Sequence, residues 1–171
     1  MRSLARVPSR AARKAELARR HLADFVRLFW PVVEPSTPLA EAWHVDVICE
    51  HLEAVVRGEI TRLLINIPPG HCKSLLASVF FPAWRWANDP SWRGVFASYG
   101  ADLAVRDSLR CRDVIESPLY VEAYCRPEKW LLGPEEAPTW ALATDQDTKS
   151  HYKNTRTGER MSLGVGGKAT G

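Results

Sequence analysis

Apolar residues recur at intervals of three and four along four stretches of the chain, and this spacing predicts four amphipathic helices. The helices cover about residues 11–29, 39–57, 73–87 and 101–116. Two shorter runs, 61–67 and 94–99, are rich in large apolar residues and are flanked by turn formers. Such runs are typical of buried strands in a parallel sheet. Strands that alternate with helices predict an α/β architecture with right-handed crossovers.

Proline and glycine mark the boundaries between these predicted elements. Residues 30–44 hold three prolines and predict an extended connector, in which Ser36 or Thr37 caps the next helix. Gly58 stands where that helix needs a C-terminal cap. Pro82 lies inside the third predicted helix and predicts a kink there.

The second half of the chain gives fewer signals. Residues 119–150 are predicted to be loop with short ordered pieces. Residues 151–163 predict a β-hairpin that turns at 156–158. The chain then continues as GVGGKATG, a glycine-rich run that contains Lys168.

Composition and charge narrow the class of protein. The 171 residues are 46% hydrophobic and 25% charged, which is typical of a globular chain with a core. Residues 1–27 hold eight Arg or Lys against Glu16 and Asp24, so this arm either docks on phosphate or is solvated. No run predicts a membrane span or a secretory signal. The four cysteines form no CxxC pair, which argues against a zinc ribbon and favours the cytoplasm.

The stretch IPPGHCKS, at 67–74, has the features of a phosphate-binding loop. A predicted strand ends in the turn Pro68–Cys72, and a helix begins at Lys73-Ser74. Amides at a helix start attract anions, a lysine there reaches β- and γ-phosphates, and a hydroxyl holds Mg²⁺. An ordinary strand-turn-helix unit that happens to start with lysine is the alternative.

The loop departs from the GxxxxGK[ST] pattern at two positions. Ile67 stands six residues before Lys73, and Cys72 directly precedes the lysine. Gly70 still supplies one permissive backbone position. A side chain at 72 costs about 1 kcal/mol if the backbone there adopts positive φ. Because Cys72 lies at a predicted helix start beside a lysine, we expect its thiol pKa to be lowered.

Several motifs in the same order resemble the N-terminal ATPase region of the large terminase subunit of tailed bacteriophages. They are IPPGHCKS, PAWRWA at 82–87, and ASYGADLAVRDSLRCRDVIESP at 97–118. The tail from Trp140 also resembles the segment that leads into this family's Walker B strand. Together they cover roughly residues 40–171. The resemblance implies a P-loop NTPase fold of the ASCE/RecA-like kind, with a parallel sheet flanked by helices.

The resemblance also implies roles for individual residues. Lys73 would contact phosphate and transition-state charge, and Ser74 would bind Mg²⁺. Gly70, His71 and Cys72 would supply backbone amides around the phosphates, and Pro69 belongs to the same cofactor-binding loop. Trp43 and His44 lie about where the family places its adenine-contacting segment.

Function and partners follow from the same resemblance. The family packages viral DNA, using ATP and Mg²⁺ to drive duplex DNA into the capsid, together with a small terminase subunit and a portal protein. An oligomeric ring in the host cytoplasm is implied for the complete protein. The domains expected are a basic helix and Pro-rich connector at 1–38, and a partial P-loop ATPase domain at 39–171, without a nuclease domain.

Two departures from the family pattern limit these expectations. His71 occupies the part of the loop where many terminases carry arginine. The family's Walker B strand with paired acids is absent, since Asp145 and Asp147 lie in a polar stretch without a preceding apolar strand. The fold is therefore expected to be incomplete at its C-terminus, and hydrolysis by this chain alone is not expected.

Other functional interpretations stay open from the sequence. A helicase or another P-loop DNA translocase would share the loop, and a non-catalytic remnant would keep the fold without binding nucleotide. Arg106 and Lys168 are candidate contacts to DNA phosphate. The ordinary explanation for Arg106 is an ion pair with one of the aspartates interleaved in its predicted helix. The ordinary explanation for Lys168 is that it belongs to a flexible loop without a DNA contact.

Overall fold

The computed structural model describes residues 10–125, 140–143 and 148–165. Its helices and strands follow one another as α1 (Arg10–Arg20), α2 (Leu22–Val33), α3 (Trp43–Val56), a π-helical segment (Leu75–Phe80) continuous with α4 (Phe81–Asn88), β1 (Arg93–Ser98), α5 (Ala101–Glu116), α6 (Pro118–Tyr120) with a π-helical turn (Val121–Cys125), β2 (His151–Lys153) and β3 (Glu159–Gly164).

The first predicted helix is two helices, with a break at His21. His21 has extended backbone angles, φ −126° and ψ 122°. The Leu22 amide, which begins α2, donates to the Glu53 carboxylate of α3 at 2.6 Å. A carboxylate from a distant part of the chain therefore accepts from an amide at the start of α2. Local hydrophobic periodicity could not predict this contact.

The connector and the start of α3 also differ from prediction. Helix α2 continues through Pro31 to Val33, so the extended connector begins later than residue 30. Helix α3 begins at Trp43 rather than 39, and its N-cap is Ala42, so neither Ser36 nor Thr37 caps it. The Gly58 prediction is confirmed, because Gly58 follows α3 with φ +76° and its amide donates to the Val55 carbonyl.

The helix after the loop contains a π-helical segment before Pro82. The Phe81 amide donates to the Leu76 carbonyl, five residues earlier, as a π-helix requires. In a regular α-helix Pro82 would press against the Ser78 carbonyl and could not donate to it. The wider π turns relieve that contact, so the predicted irregularity takes this form.

The sheet is mixed and small, unlike the parallel sheet that was predicted. Strand β3 lies in the centre, parallel to β1 and antiparallel to β2. Within the described ranges, residues 61–67 form neither helix nor strand and join no ladder. Their inward residues contact the core, whereas Leu64 is 90% exposed. The prediction of a buried strand is therefore wrong for 61–67. The strand predicted at 94–99 is present as β1, but it is not buried, because its residues alternate between exposed and half-buried.

The predicted hairpin is confirmed, with β2 and β3 as its strands. Thr157 carries the positive φ of the turn, +67°, rather than the adjacent glycine. Gly158 is needed for space, since a Cβ there would meet the Pro90 carbonyl and the Asn154 amide closer than 3.0 Å. Asn154 fixes the turn by accepting from the Gly158 amide at 2.9 Å.

One hydrophobic core joins the helices and strand β2. It contains residues of α1 and α2 as well as of α3, α4, α5 and β2. Trp84 and Trp86 are buried in it, as predicted for core rather than stacking residues. The predicted boundary at residue 38 falls between two helices that share this core. Among the described residues no helix has the length and apolar character needed to cross a membrane.

Candidate phosphate-binding loop and the adjoining cavity

The turn between residue 67 and the following helix has two residues in the left-handed region. Gly70 has φ +84° and Cys72 has φ +60°. Cys72 thus adopts the conformation for which the pattern GxxxxGK[ST] ordinarily carries glycine. Residues that switch between right- and left-handed backbone turn successive amides to one side, as in anion-binding loops. A Cβ on Gly70 would meet nothing within 4 Å, so this glycine is needed for its φ alone.

The helix that follows begins with two uncommitted functional groups. The Leu76 amide donates to the Cys72 carbonyl at 2.9 Å, and the amides before it have no helical acceptor. The Ser74 hydroxyl makes no capping hydrogen bond. In the part of the chain that the structure describes, the Lys73 ammonium forms no ion pair. A cation, a hydroxyl and free amides therefore meet at one helix start.

A cavity of about 520 Å³ adjoins this loop. It lies between α3 and residues 63–68, and His71 of the loop lines it. The rings of His44 and His71 lie edge to face with centroids 5.3 Å apart. Trp43 also lines the cavity and is 78% exposed. The structure thus brings Trp43 and His44 next to the loop, whereas Lys73 and Ser74 do not line the cavity.

The pKa of Cys72 is shifted opposite to the expectation. Burial and the charge of the Glu34 carboxylate raise the pKa of its thiol. Glu34 lies at the end of α2 and forms an ion pair with Arg110 of α5 at 3.1 Å. The prediction of a lowered pKa was wrong because it considered only the helix start, and neither the burial of the thiol nor the Glu34 charge.

Strain at Cys72 predicts a measurable ranking of two variants. Both Cys72→Gly and Cys72→Ala remove the sulfur, but only alanine keeps a Cβ in the left-handed conformation. We expect Cys72→Gly to have the larger free energy of unfolding, by about 1 kcal/mol. Urea denaturation of the two variants measures it. An alanine variant as stable as the glycine variant would show that the backbone at 72 is not strained.

The structure adds no support for the two predicted nucleic-acid contacts, Arg106 and Lys168. Arg106 forms an ion pair with Asp107 of the same helix, α5, at 2.9 Å, as expected for ion pairing within the helix. Lys168, Asp145 and Asp147 lie outside the described residues. Over the described ranges no group of three or more His, Cys, Asp or Glu side chains is placed to hold a metal ion.

Arg160 is a buried residue of this region that the sequence analysis missed. Its guanidinium is almost fully buried in β3 and donates to the Ser78 carbonyl of the π-helical segment at 2.8 Å. Pro82, four residues after Ser78, was the available signal, because it leaves that carbonyl without its α-helical donor. Which residue would supply a replacement donor could not be read from the sequence.

Comparison of the chain with protein families, with curated proteins and with solved structures finds no match.

Proposed function

We propose that this chain is the ATP-binding, N-terminal part of a phage DNA-packaging motor, the large terminase subunit. The complete motor would couple ATP hydrolysis to the translocation of duplex DNA. The observation that carries the proposal is the coincidence, in one turn, of left-handed Gly70 and Cys72 with the uncommitted Lys73 and Ser74. An ordinary strand-turn-helix unit has no need of a strained, non-glycine residue immediately before the lysine.

The chemistry of these groups suits a triphosphate. Amides at the start of the helix would donate hydrogen bonds to the phosphate oxygens, and the Lys73 ammonium would add a charge-assisted contact. The adjoining cavity of about 520 Å³ is in the size range of small-molecule sites, and His44, His71 and Trp43 offer ring surfaces there. The base of the nucleotide would occupy it.

Mg²⁺ fits the loop in part. The Ser74 hydroxyl would hold the ion, which when bound supplies charge neutralisation to the β- and γ-phosphates. In the described residues no clustered carboxylates complete such a site. The proposal for this chain is therefore nucleotide binding, and we assign no hydrolytic step to its residues.

The proposed partners rest on the resemblance. They are double-stranded DNA, the small terminase subunit and the portal protein, with an oligomeric ring as the complete assembly in the host cytoplasm. DNA would be contacted through its phosphates rather than its base edges. A helicase or other P-loop translocase would share the nucleotide site and differ in these partners, whereas a non-catalytic remnant would bind no nucleotide.

Protection of Cys72 from alkylation tests the proposal. Cys49, Cys111 and Cys125 are buried, so iodoacetamide is expected to modify Cys72 first. Because its pKa is raised, the rate should still be increasing at a pH where an ordinary thiol has levelled off. Mg·ATP is expected to slow this modification at least about tenfold, since the triphosphate would cover the loop, whereas adenosine is expected to leave the rate nearly unchanged.

The control for this experiment is the Cys72→Ser variant, which should incorporate almost no label under the same conditions. Peptide mapping by mass spectrometry identifies the modified residue. Equal rates with Mg·ATP and without nucleotide would contradict the proposal and favour the non-catalytic remnant.

A further inference from the structure

We propose that Arg160 is a positioning residue for the phosphate-binding loop, because it replaces the hydrogen-bond donor that Pro82 removes from the helix carrying Lys73 and Ser74. The functional part of this inference rests on the proposed nucleotide site. The structural part, a link between β3 and the helix, does not.

The Ser78 carbonyl lies four residues before Pro82. In an α-helix the amide of residue 82 would donate to the carbonyl of residue 78, and proline has no amide hydrogen. The Arg160 Nη2 group donates to this carbonyl at 2.8 Å, across 82 residues of sequence. The Ser78 carbonyl thus receives a charged donor from the central strand of the sheet.

The surroundings of Arg160 hold it in this role. Its guanidinium lies over the ring of Phe96, 4.5 Å from the centroid, and near the ring of Tyr152. Nη1 donates to the Ser162 hydroxyl. Within the described residues no carboxylate pairs with it, and its buried Nε makes no hydrogen bond. A buried arginine without an acidic partner is costly, and the hydrogen bond of Arg160 to the Ser78 carbonyl links β3 directly to the π-helical segment.

This contact affects the direction of Lys73 and Ser74. The π-helical segment Leu75–Phe80 connects them to α4, which is anchored in the core through Trp84 and Trp86. If the hydrogen bonds of the helix shift by one residue, the start of the helix rotates by about 100° relative to its end. By fixing the Ser78 carbonyl, Arg160 holds the wide π turns and therefore the orientation of the loop.

The test is a double-mutant cycle between Arg160→Met and Pro82→Ala. Alanine at 82 restores an amide to the helix, and in α-helical register this amide would donate to the Ser78 carbonyl in place of Arg160. We expect Arg160→Met to weaken Mg·ATP binding about tenfold, the equivalent of one charge-assisted hydrogen bond. In the Pro82→Ala background the same change should weaken it less than threefold, an estimate that treats the restored amide as a full substitute donor. Adenosine binding should change little in either background.

Two controls separate positioning from loss of stability. Tyr124→Phe removes another buried hydrogen bond to a backbone carbonyl, that of Ala15, and should leave Mg·ATP affinity within twofold. Arg160→Lys keeps one charge and one donor and should lie between wild type and Arg160→Met, which provides a second variant if methionine does not fold.

Hydrogen exchange without nucleotide distinguishes a failure of the Arg160 inference from a failure of the proposed nucleotide binding. Arg160→Met is expected to accelerate exchange in the segment 75–88, and Pro82→Ala to reverse that change. If exchange behaves so and wild type binds no ATP, the link stands and the proposed function is wrong. If wild type binds ATP and Arg160→Met binds it equally well, or exchange in 75–88 is unchanged, Arg160 is not a positioning residue.

Discussion

Replacement of Lys73 by alanine is expected to weaken Mg·ATP binding at least about a hundredfold, and to leave the stability of the protein almost unchanged. The first effect follows because an ammonium group that contacts β- and γ-phosphates contributes about 3 kcal/mol. The second follows because, in the described ranges, Lys73 forms no ion pair that the folded state would lose. Fluorescence titration with an ATP analogue measures the affinity, and urea denaturation measures the stability.

The matched control is Lys149→Ala, which removes the same charge from an exposed residue beside the hairpin. It should bind Mg·ATP like wild type, apart from a small salt-dependent loss. If Lys73→Ala and Lys149→Ala have the same affinity as each other, the loop does not bind phosphate through its lysine, and the resemblance to the packaging ATPase would then be one of sequence without the activity.

Gly158→Ala is expected to lower the free energy of unfolding by about 3 kcal/mol, the upper range for an overpacked core. The added Cβ would lie 2.5 Å from the Asn154 side-chain nitrogen and 2.9 Å from the Trp86 indole nitrogen, and closest to the Pro90 carbonyl. Asn154 donates to that carbonyl at 2.8 Å. The backbone and a fully buried tryptophan must therefore shift together, which separates the hairpin from α4.

The control for Gly158→Ala is the same change at Gly100, the N-cap of α5. There the nearest atoms are those of Leu103 at 3.8 Å, an ordinary contact, and φ is −99°. We expect Gly100→Ala to cost less than about 1 kcal/mol. Urea denaturation compares the two variants. If Gly158→Ala lowers the free energy of unfolding as little as Gly100→Ala does, Gly158 tolerates a side chain and the close packing of the turn is relieved without cost.

Local patterns predicted the elements whose causes are local. Helix α5, the hairpin and the glycine after α3 depend on periodicity and turn chemistry within a few residues, and the structure has them. The juxtaposition of a lysine and a hydroxyl with a turn was also readable from sequence, because all of its groups are adjacent in the chain. The cost of a side chain at position 72 was made conditional on positive φ, and Cys72 does adopt positive φ.

Features caused by distant residues could not be predicted. The break at His21 depends on Glu53 of α3, and the raised pKa of the Cys72 thiol depends on its burial and then on the charge of Glu34 of α2. The π-helical segment was foreseen only as a kink at Pro82, since the donor that accommodates it, Arg160, is far along the chain. The exposure of Leu64 reflects the lack of a neighbouring strand in the described residues, which an apolar run by itself does not reveal.

The central claim is that the turn from Gly70 to Ser74 binds the phosphates of a nucleotide. Isothermal calorimetry of the wild-type protein with ATP, ADP and adenosine, each with Mg²⁺, tests it most directly. We expect ATP to bind at least about a hundredfold more tightly than adenosine, with ADP between them, because each terminal phosphate adds contacts to the amides and to Lys73. Equal affinities for ATP and adenosine, or no heat of binding with ATP, would contradict the account.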